Sequence, residues 1–352
     1  MESRTRATSS KRWATVTNRT GSMMFESLRR TLHPSWYQGH DKKPPYFEGW
    51  YYKLVDPLER HRLAVIPGVF KGTDPGKSHA FVQVLDGISG ETTYHEYPVG
   101  AFRAARKGLD IEIGPNRFTL TDISLAIESP DRSVQGLVSF TGVSPWPSTV
   151  IAPGIMGVFS WLPFLQTYHG VVSLDHGIRG VLTVDGDEID FDGGRGYIEK
   201  DWGRSFPEAW IWMQTNHFDR DGTSFTASIA TIPMPGFSFR GFIVGLWHER
   251  KLYRFATYTG ARINELTIGD DQVHTLIQDR AYRLEVTARR AKGGILRGPT
   301  GLDMGGRVPE SLRATVRVRL YAVTGDELCL IFEGTGRNAG LEVVGDPDKL
   351  LG

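Results

Sequence analysis

Apolar and polar side chains alternate along most of the chain after residue 45. In the clearest run, apolar residues occupy every second position from Leu312 to Leu320, with Arg or Thr between them. A period of two is typical of an antiparallel strand with one buried face. Similar strand-like runs cover residues 79–85, 223–232, 237–247, 252–258 and 282–288. The pattern therefore predicts an all-β chain.

Turn-forming residues separate these runs. Asp185-Gly186 lies between residues 181–184 and 188–191, and this dipeptide is the strongest short signal of a two-residue β-hairpin. Residues 25–32 have the pattern of a short amphipathic helix, which His33-Pro34 ends. No long helical stretch competes with the strands. We predict antiparallel β-barrels or sandwiches after a short N-terminal helix.

Length and composition limit the class of protein. The chain has 352 residues, and because single cores stop growing near about 250–300 residues, two domains are expected. The formal net charge of +1 gives no electrostatic reason to expect a nucleic acid partner. The single cysteine, Cys329, excludes an internal disulfide and a cysteine-rich metal site. It lies between two leucines, so we predict that it is a core residue.

Two segments depart from the alternation. Residues 1–22 are rich in Ser, Thr and Arg without an apolar stretch, which argues against a secretory signal. A transit peptide, a disordered tail or a true start at Met23 or Met24 remain open, and the expected location is cytoplasmic. Residues 133–174 lack Asp, Glu, Lys and Arg, but their prolines would break a membrane-spanning helix. We expect a buried strand and an interdomain connection, or alternatively an apolar cavity mouth in peripheral contact with a membrane.

Motifs for common cofactors are incomplete. Gly72–Ser78 resembles a phosphate-binding loop, but its spacer is one residue short and a strand-like run follows it. The histidines show no zinc-type pairing, and His169 and His176 are too far apart along a strand to be neighbours. No metal and no cofactor are therefore expected.

The densest unusual segment covers residues 197–218. Read as strands, it places Tyr197, Glu199 and Asp201 on one face. After Pro207 a second shared face contains Trp210, Trp212, Gln214, Asn216 and Phe218, opposite Ile211 and Met213. A face that mixes indoles with amides suits a ligand cavity, because buried amides need partners. A structural corner in which Lys200 pairs with a carboxylate is the alternative, and spacing alone leaves both open.

This segment resembles the signature of the tocopherol cyclase family. That signature is Tyr-x-Glu-Lys-Asn/Asp-Trp-Gly, followed by Phe-Pro, Trp-x-Trp-x-Gln and Asn-x-Phe, and all of its parts occur within residues 197–218. A second family block, Phe-Glu-Gly-Trp-Tyr, occurs at Phe47–Tyr51. The resemblance covers roughly residues 33–345, although Asp201 stands where the plant enzymes tend to have Asn.

The family resembles carotenoid hydratases and other lipocalin-like proteins, which implies two tandem lipocalin-like antiparallel β-barrel or sandwich domains. On this basis we predict a disordered tail and short helix in residues 1–32, an N-terminal domain in residues 33–195 and a C-terminal domain in residues 196–352.

The resemblance implies a cofactor-independent reaction on a hydrophobic small molecule, in which a prenylated hydroquinol closes to a chromanol. An acid protonates the alkene, and the phenol oxygen attacks the tertiary cation. A carboxyl group in an apolar pocket can donate this proton, because desolvation raises its pKa. The candidate acids are Glu48, Glu199 and Asp201. The expected substrate-binding residues are Tyr197, the indoles of Trp50, Trp202, Trp210 and Trp212 that could stabilise a cation, and Gln214, Asn216 and His217 for the hydroxyls.

Three functions compete at this stage. The first is the tocopherol cyclase-like enzyme, an intramolecular lyase or isomerase. The second is a hydratase acting on an isoprenoid chain, in which water captures the same cation. The third is a non-catalytic carrier of a hydrophobic ligand.

Overall fold

The chain folds into two large antiparallel sheets in a computed structural model that describes Glu26 and residues 28–351. The first sheet contains β1 (Tyr46–Val55), β2 (Arg62–Lys71), β3 (His79–Asp86), β4 (Thr92–Pro98), β5 (Phe102–Ala104), β6 (Asp110–Ile113), β7 (Asn116–Thr119), β8 (Asp122–Glu128), β9 (Ser133–Thr141), β10 (Thr167–Val184), β11 (Asp187–Asp190) and β12 (Arg195–Gly203). The second contains β13 (Trp210–Thr215), β14 (Ser224–Met234), β15 (Phe237–His248), β16 (Lys251–Ala256), β17 (Arg262–Ile268), β18 (Gln272–Gln278), β19 (Tyr282–Arg289), β20 (Gly294–Gly298), β21 (Gly306–Thr324) and β22 (Glu327–Val344).

Helical structure is brief in the described residues. An N-terminal helix includes Glu26 and residues 28–32, as predicted, and a four-residue helix spans Asp348–Leu351. Single 3-10 turns cover Gly39–Asp41, Pro75–Lys77, Val99–Ala101, Gly157–Trp161 and Thr257–Thr259. No described helix has the length and apolar composition needed to cross a bilayer. The predicted tail of residues 1–22 lies outside the described residues.

Both sheets share one order of strands. In each sheet the first strand in sequence pairs with the last, β1 with β12 and β13 with β22, and the remaining strands extend from this central pair. The two-residue turn at Asp185-Gly186 joins β10 to β11, and both residues have positive φ, the geometry that an Asp-Gly hairpin turn adopts. The all-β, two-part antiparallel fold that the alternation and the resemblance predicted is confirmed.

The break between the sheets is later than the predicted domain boundary. β12 is hydrogen bonded to β1 and β10 within the first sheet, so the change of sheet occurs in residues 204–209. A boundary at 195/196 would separate β12 from both of its partners. The two-domain division stays a prediction, and residues 204–209 are the better place for its boundary.

Strand alternation distributes side chains between two internal cores and an interface. Trp50, Tyr52 and Leu54 of β1 lie in the core of the first sheet, and Ile211 and Met213 of β13 lie in that of the second. A third apolar cluster lies between the sheets and includes Tyr51, Tyr197, Trp212, Ile243, Leu296 and Leu312. The candidate site lies in this third layer.

Two expectations about single residues are wrong. Cys329 is exposed rather than in a core, because it lies near the β21–β22 turn where several neighbouring residues are also exposed. Phe218 does not share the face of Trp212: β13 ends at Thr215, so alternation stops there and Phe218 packs in the second core.

Candidate functional site

A cavity of about 210 Å³ lies between the two sheets. Its walls are mainly apolar, and the connection between β9 and β10 supplies Met156, Phe159, Leu162 and Leu165 to them. This part of residues 133–174 is therefore a cavity wall as well as a connection. The acidic and basic side chains that line the cavity are His169, Glu199, Asp201, Arg297, Glu310 and Glu342.

Strand register places one set of polar side chains on the cavity face of the first sheet. β12 lies between β1 and β10, with Glu199 opposite Tyr51 and Asp201 opposite His169. Residues directly opposite one another on a sheet face have adjacent side chains. The prediction that Tyr197, Glu199 and Asp201 share a face is confirmed, and the next strand adds His169 to them.

Glu199 is a buried carboxyl group in this set. Its Oε2 accepts hydrogen bonds from the Tyr197 hydroxyl at 2.5 Å and from the Trp212 indole at 3.1 Å. Burial raises the pKa of Glu199 to about 7, against the lowering effect of nearby His169. A desolvated carboxyl group with this pKa retains a proton at neutral pH in a substantial fraction of molecules.

His169 and Asp201 form a hydrogen-bonded pair beside Glu199. His169 Nδ1 lies 2.9 Å from Asp201 Oδ1, and its Nε2 lies 3.6 Å from Glu199 Oε2 without a hydrogen-bond partner. Burial lowers the pKa of His169, but the charges of Asp201 and Glu199 outweigh it and raise the pKa to about 9. His169 is therefore an imidazolium at neutral pH.

The same three residues are the candidate metal ligands among the described residues. One ligand atom from each of His169, Glu199 and Asp201 lies within 4.8 Å of the others. Two carboxylates and an imidazole suit a divalent cation. The set was not visible in sequence spacing because His169 lies on β10 and the two carboxyl groups lie on β12. The expectation of no metal stays a prediction.

Two further carboxyl groups reach the cavity from the second sheet. Glu310 accepts a hydrogen bond from the Tyr51 hydroxyl, and Glu342 accepts one from the Trp210 indole at 2.5 Å. Burial raises the pKa of Glu310 to about 7, and burial and the charge of Glu310 raise that of Glu342 well above its ordinary value. Sequence reasoning missed both residues, although an acid inside the apolar run at 339–344 was an available signal.

Glu48 points away from these groups. Its carboxylate pairs with Lys200 and accepts hydrogen bonds from the Gln38 amide and the Tyr46 hydroxyl, with no exposed surface. The ammonium group of Lys200 lies 4.9 Å from the ring centre of Trp50 and 4.7 Å from that of Trp202. This cluster is the structural corner that the sequence offered as an alternative. It consists of Glu48, Trp50, Lys200 and Trp202 and lies on the opposite face from Glu199.

The two predicted cation-stabilising indoles in this group, Trp50 and Trp202, pack in the first core. Trp50 borders the cavity, but its ring packs beside Tyr37 and Phe102 in the first core. Trp202 stacks on Tyr168 with ring centres 5.6 Å apart. Trp210 and Trp212, in contrast, both line the cavity and both donate to a carboxyl group there.

The remaining predicted binding residues are buried away from this cavity. Gln214 accepts a hydrogen bond of 2.7 Å from Lys53, whose pKa burial lowers to about 7. Asn216 donates to Asp175 and to the Gly196 carbonyl, at 2.9 and 2.8 Å. His217 is buried, which lowers its pKa. The structure does not bring these three side chains to the cavity lined by Glu199.

Comparisons with known proteins agree with the sequence blocks. The family described as tocopherol cyclase-like matches residues 130–345. The probable chloroplastic tocopherol cyclase of Oryza sativa subsp. japonica is 25% identical over 204 residues, and the chloroplastic tocopherol cyclase of Zea mays is 26% identical over 207 residues. Each match covers 53% of this chain and 42% of the relative, so the matched region spans less than half of either plant protein.

Solved structures share the fold at low identity. The crystal structure of CghA superposes with a TM-score of 0.51 and 12% identity over 88% of this chain and 92% of that one. Such a likeness concerns the arrangement of strands alone. The family match covers more than half of the chain and includes His169, Glu199, Asp201, Glu310 and Glu342, and the chain belongs to the tocopherol cyclase-like family.

Proposed function

We propose that the chain is an enzyme that closes a prenylated hydroquinol to a chromanol by acid catalysis without a cofactor. The observation that carries the proposal is a buried, proton-holding carboxyl group, Glu199, in a mainly apolar cavity of a chain in this family. The reaction is an isomerisation, so it needs one proton donor, one proton acceptor and protection of a cation from water.

Glu199 is the proposed donor. Tyr197 and Trp212 both donate to its Oε2, and Oε1 has no hydrogen-bond partner among the described residues. Oε1 is thus the oxygen that can carry the acid proton toward a ligand. Transfer of this proton to the less substituted alkene carbon leaves a tertiary cation, and general acid catalysis of this kind contributes about 10²- to 10⁴-fold.

The cavity walls suit the rest of the reaction. Trp210 and Trp212 present indoles to the cavity, and the π face of a desolvated indole stabilises a cation by about 2 kcal/mol. The apolar side chains of residues 156–165 exclude water from the prenyl chain. The phenol oxygen then bonds to the cationic carbon and loses its proton, so that substrate and product have the same atoms.

Incubation with a prenylated hydroquinol in deuterated water tests this proposal. We expect a chromanol that carries one deuterium on the ring carbon beside the new quaternary centre. Glu199→Gln keeps the shape but has no acid proton, so turnover should fall at least about 100-fold with little change in melting temperature. Glu188→Gln, an exposed carboxyl on β11, is the matched control and should leave the rate unchanged.

The same experiment separates the competing functions. A hydratase would form an open-chain tertiary alcohol with one deuterium and the added mass of water. A carrier would return the hydroquinol unchanged and unlabelled. Chromanol formation that survives Glu199→Gln would contradict the assignment of the donor.

A further inference from the structure

Glu310 and Glu342 form a pair of carboxyl groups on the second-sheet wall of the cavity. They lie directly opposite each other in the β21–β22 register, and both line the cavity. Opposite residues on adjacent strands have Cβ atoms about 4.5–5.5 Å apart. The two carboxyl groups are thus close neighbours in a largely apolar environment.

Two buried carboxylates at this spacing cannot both be ionised at low cost. Like charges repel strongly in a low-dielectric site, and such a pair retains one proton between its members. The other charged groups that face the pair are Lys53 on β1 and Glu199 and Asp201 on β12. Of these three, Lys53 is the cation, and its pKa is lowered by burial to about 7. The cationic side chains of His169 and Arg297 also line the cavity. The pair therefore keeps a proton and one acceptor oxygen at neutral pH.

One oxygen of this pair lacks a partner. Tyr51 donates its phenolic proton to Glu310 Oε1. Glu310 Oε2 is buried without a hydrogen bond of standard geometry among the described residues, although the neighbouring Glu342 carboxyl group lowers the pKa of Glu310 by side-chain hydrogen bonding. An unpartnered buried carboxylate oxygen is costly, and a ligand hydroxyl can satisfy it. The Tyr51 contact places a phenolic hydroxyl on the other oxygen of the same carboxyl group.

We propose that Glu310 Oε2 binds the phenolic hydroxyl of the hydroquinol and accepts its proton, while Glu342 holds the proton that the pair already carries. This inference rests on the proposed cyclase function and adds the group that completes the reaction. Glu199 gives a proton to the alkene carbon, and a bond forms between the phenol oxygen and the cation. The O–H bond breaks as Glu310 takes the proton. The proton returns to Glu199 through solvent between turnovers.

Glu310→Gln tests the acceptor role in deuterated water. Glu199 remains able to protonate the alkene, so the cation should form but lose a proton again instead of being captured. We expect chromanol formation to fall at least about 100-fold, while recovered hydroquinol gains deuterium in its prenyl chain. Glu199→Gln should produce neither chromanol nor label. Glu333→Gln, an exposed carboxyl on the same strand as Glu342, is the control and should match the wild type.

Two outcomes would overturn the acceptor role. One is wild-type chromanol formation by Glu310→Gln. The other is loss of both chromanol and label in a Glu310→Gln protein that melts at the wild-type temperature, since this would make Glu310 part of the donor.

A binding measurement keeps the inference separate from the reaction. We expect the wild type to bind the prenylated hydroquinol at least about tenfold more tightly than its dimethyl ether, which is about 1.4 kcal/mol. Glu310→Gln should remove most of this preference. If the wild type makes no chromanol but prefers the free hydroquinol through Glu310, the cyclase proposal fails and the hydroxyl site stands. If the preference is absent or survives Glu310→Gln, the hydroxyl site is wrong.

Discussion

Adjacent residues in β12 have opposite roles because their side chains alternate. Glu199 enters the cavity, and Lys200 enters the first core, where it pairs with Glu48. Removal of one partner from a buried ion pair leaves an uncompensated charge and costs about 3–5 kcal/mol. Glu48 and Lys200 are thus expected to act on stability rather than on the proton transfer. The structure in this way distinguishes Glu48 from Glu199, two carboxyl groups that the sequence motif could not tell apart.

The pH dependence of turnover follows from the protonated form of Glu199. Burial raises its pKa to about 7, and the donor is the neutral form, so the descending limb of kcat should lie near pH 7. Ionisation of the proposed acceptor Glu310, whose pKa is also about 7, sets the ascending limb. His169 remains an imidazolium in this range, with a pKa of about 9, and its charge opposes the rise in the pKa of Glu199. Replacing His169 with Asn should therefore move the descending limb of the profile to higher pH.

Rate profiles of wild type, His169→Asn and His274→Asn between pH 5 and pH 9, about two units on either side of the midpoint, check this expectation. His274 bonds to Thr287 on the second sheet and does not line the cavity, so His274→Asn should keep the wild-type limb. A limb that moves to lower pH in His169→Asn would contradict the expected electrostatic effect, and loss of turnover would mean that His169 is itself the donor.

At the scale of elements, alternation predicted strands well where they are regular. The apolar positions of the run 312–320 are all buried, as expected, but they do not share one environment. Leu312 packs between the sheets, whereas Ala314 and the following apolar residues fill the second core, because the pairing register shifts between Ser311 and Ala314. A β-bulge changes the direction of side chains without a clear sequence signal.

Contacts between strands that are distant in sequence explain why the site was only partly predictable. The positions of Glu199, Trp210 and Trp212 follow from period-two counting within single strands. His169 joins them through the β10–β12 pairing, and Glu310 and Glu342 join through the packing of the second sheet on the first. Contacts between strands that are distant in sequence depend on register and sheet packing, which one strand's pattern does not contain.

Close packing of β22 against β13 fixes one wall of the cavity. A Cβ atom at Gly340 would lie 2.6 Å from two ring atoms of Trp212, well inside ordinary van der Waals contact. Gly340→Ala should displace the indole, break its hydrogen bond to Glu199 and weaken hydroquinol binding at least about tenfold, because a buried polar group left without its partner costs about 1–3 kcal/mol.

Hydroquinol titration and near-ultraviolet circular dichroism would measure this change. Gly100→Ala is the matched control, since a Cβ atom at Gly100 meets nothing within 4 Å. Unchanged affinity and an unchanged aromatic spectrum in Gly340→Ala would indicate that the indole can move without consequence for the site.

At the scale of the whole molecule, the site requires both halves of the chain. Glu199 and His169 belong to the first sheet, whereas Trp212, Glu310 and Glu342 belong to the second, and the hydrogen bonds Tyr197–Glu199–Trp212 and Tyr51–Glu310 cross or border their interface. Gln83 and Arg297 add two further hydrogen bonds between the sheets. If the sheets separate, the carboxyl groups are expected to become solvated and to lose the burial that raises their pKa.

The connection between β9 and β10 carries apolar side chains on both of its sides. Met156, Phe159, Leu162 and Leu165 face the cavity, while Val150 and Ile151 are 70% and 78% exposed. An exposed apolar segment that also forms the cavity wall suits entry of a lipid-like ligand from a bilayer. We therefore propose peripheral membrane contact through residues 150–165.

Membrane contact of this kind can be measured by sedimentation with phosphatidylcholine vesicles. Burial of a large aliphatic side chain contributes about 1.5–3 kcal/mol, so the double variant Val150→Asp/Ile151→Asp should bind vesicles at least about tenfold more weakly than wild type. Leu58→Asp, at a position 63% exposed in the β1–β2 turn, is the control and should bind normally.

With hydroquinol supplied in the vesicles, the double variant should also turn over more slowly, but it should match wild type when the same substrate is supplied in detergent micelles. Equal vesicle binding by wild type and the double variant would contradict contact through this segment, because two buried aspartates could not remain at a bilayer surface without a measurable cost.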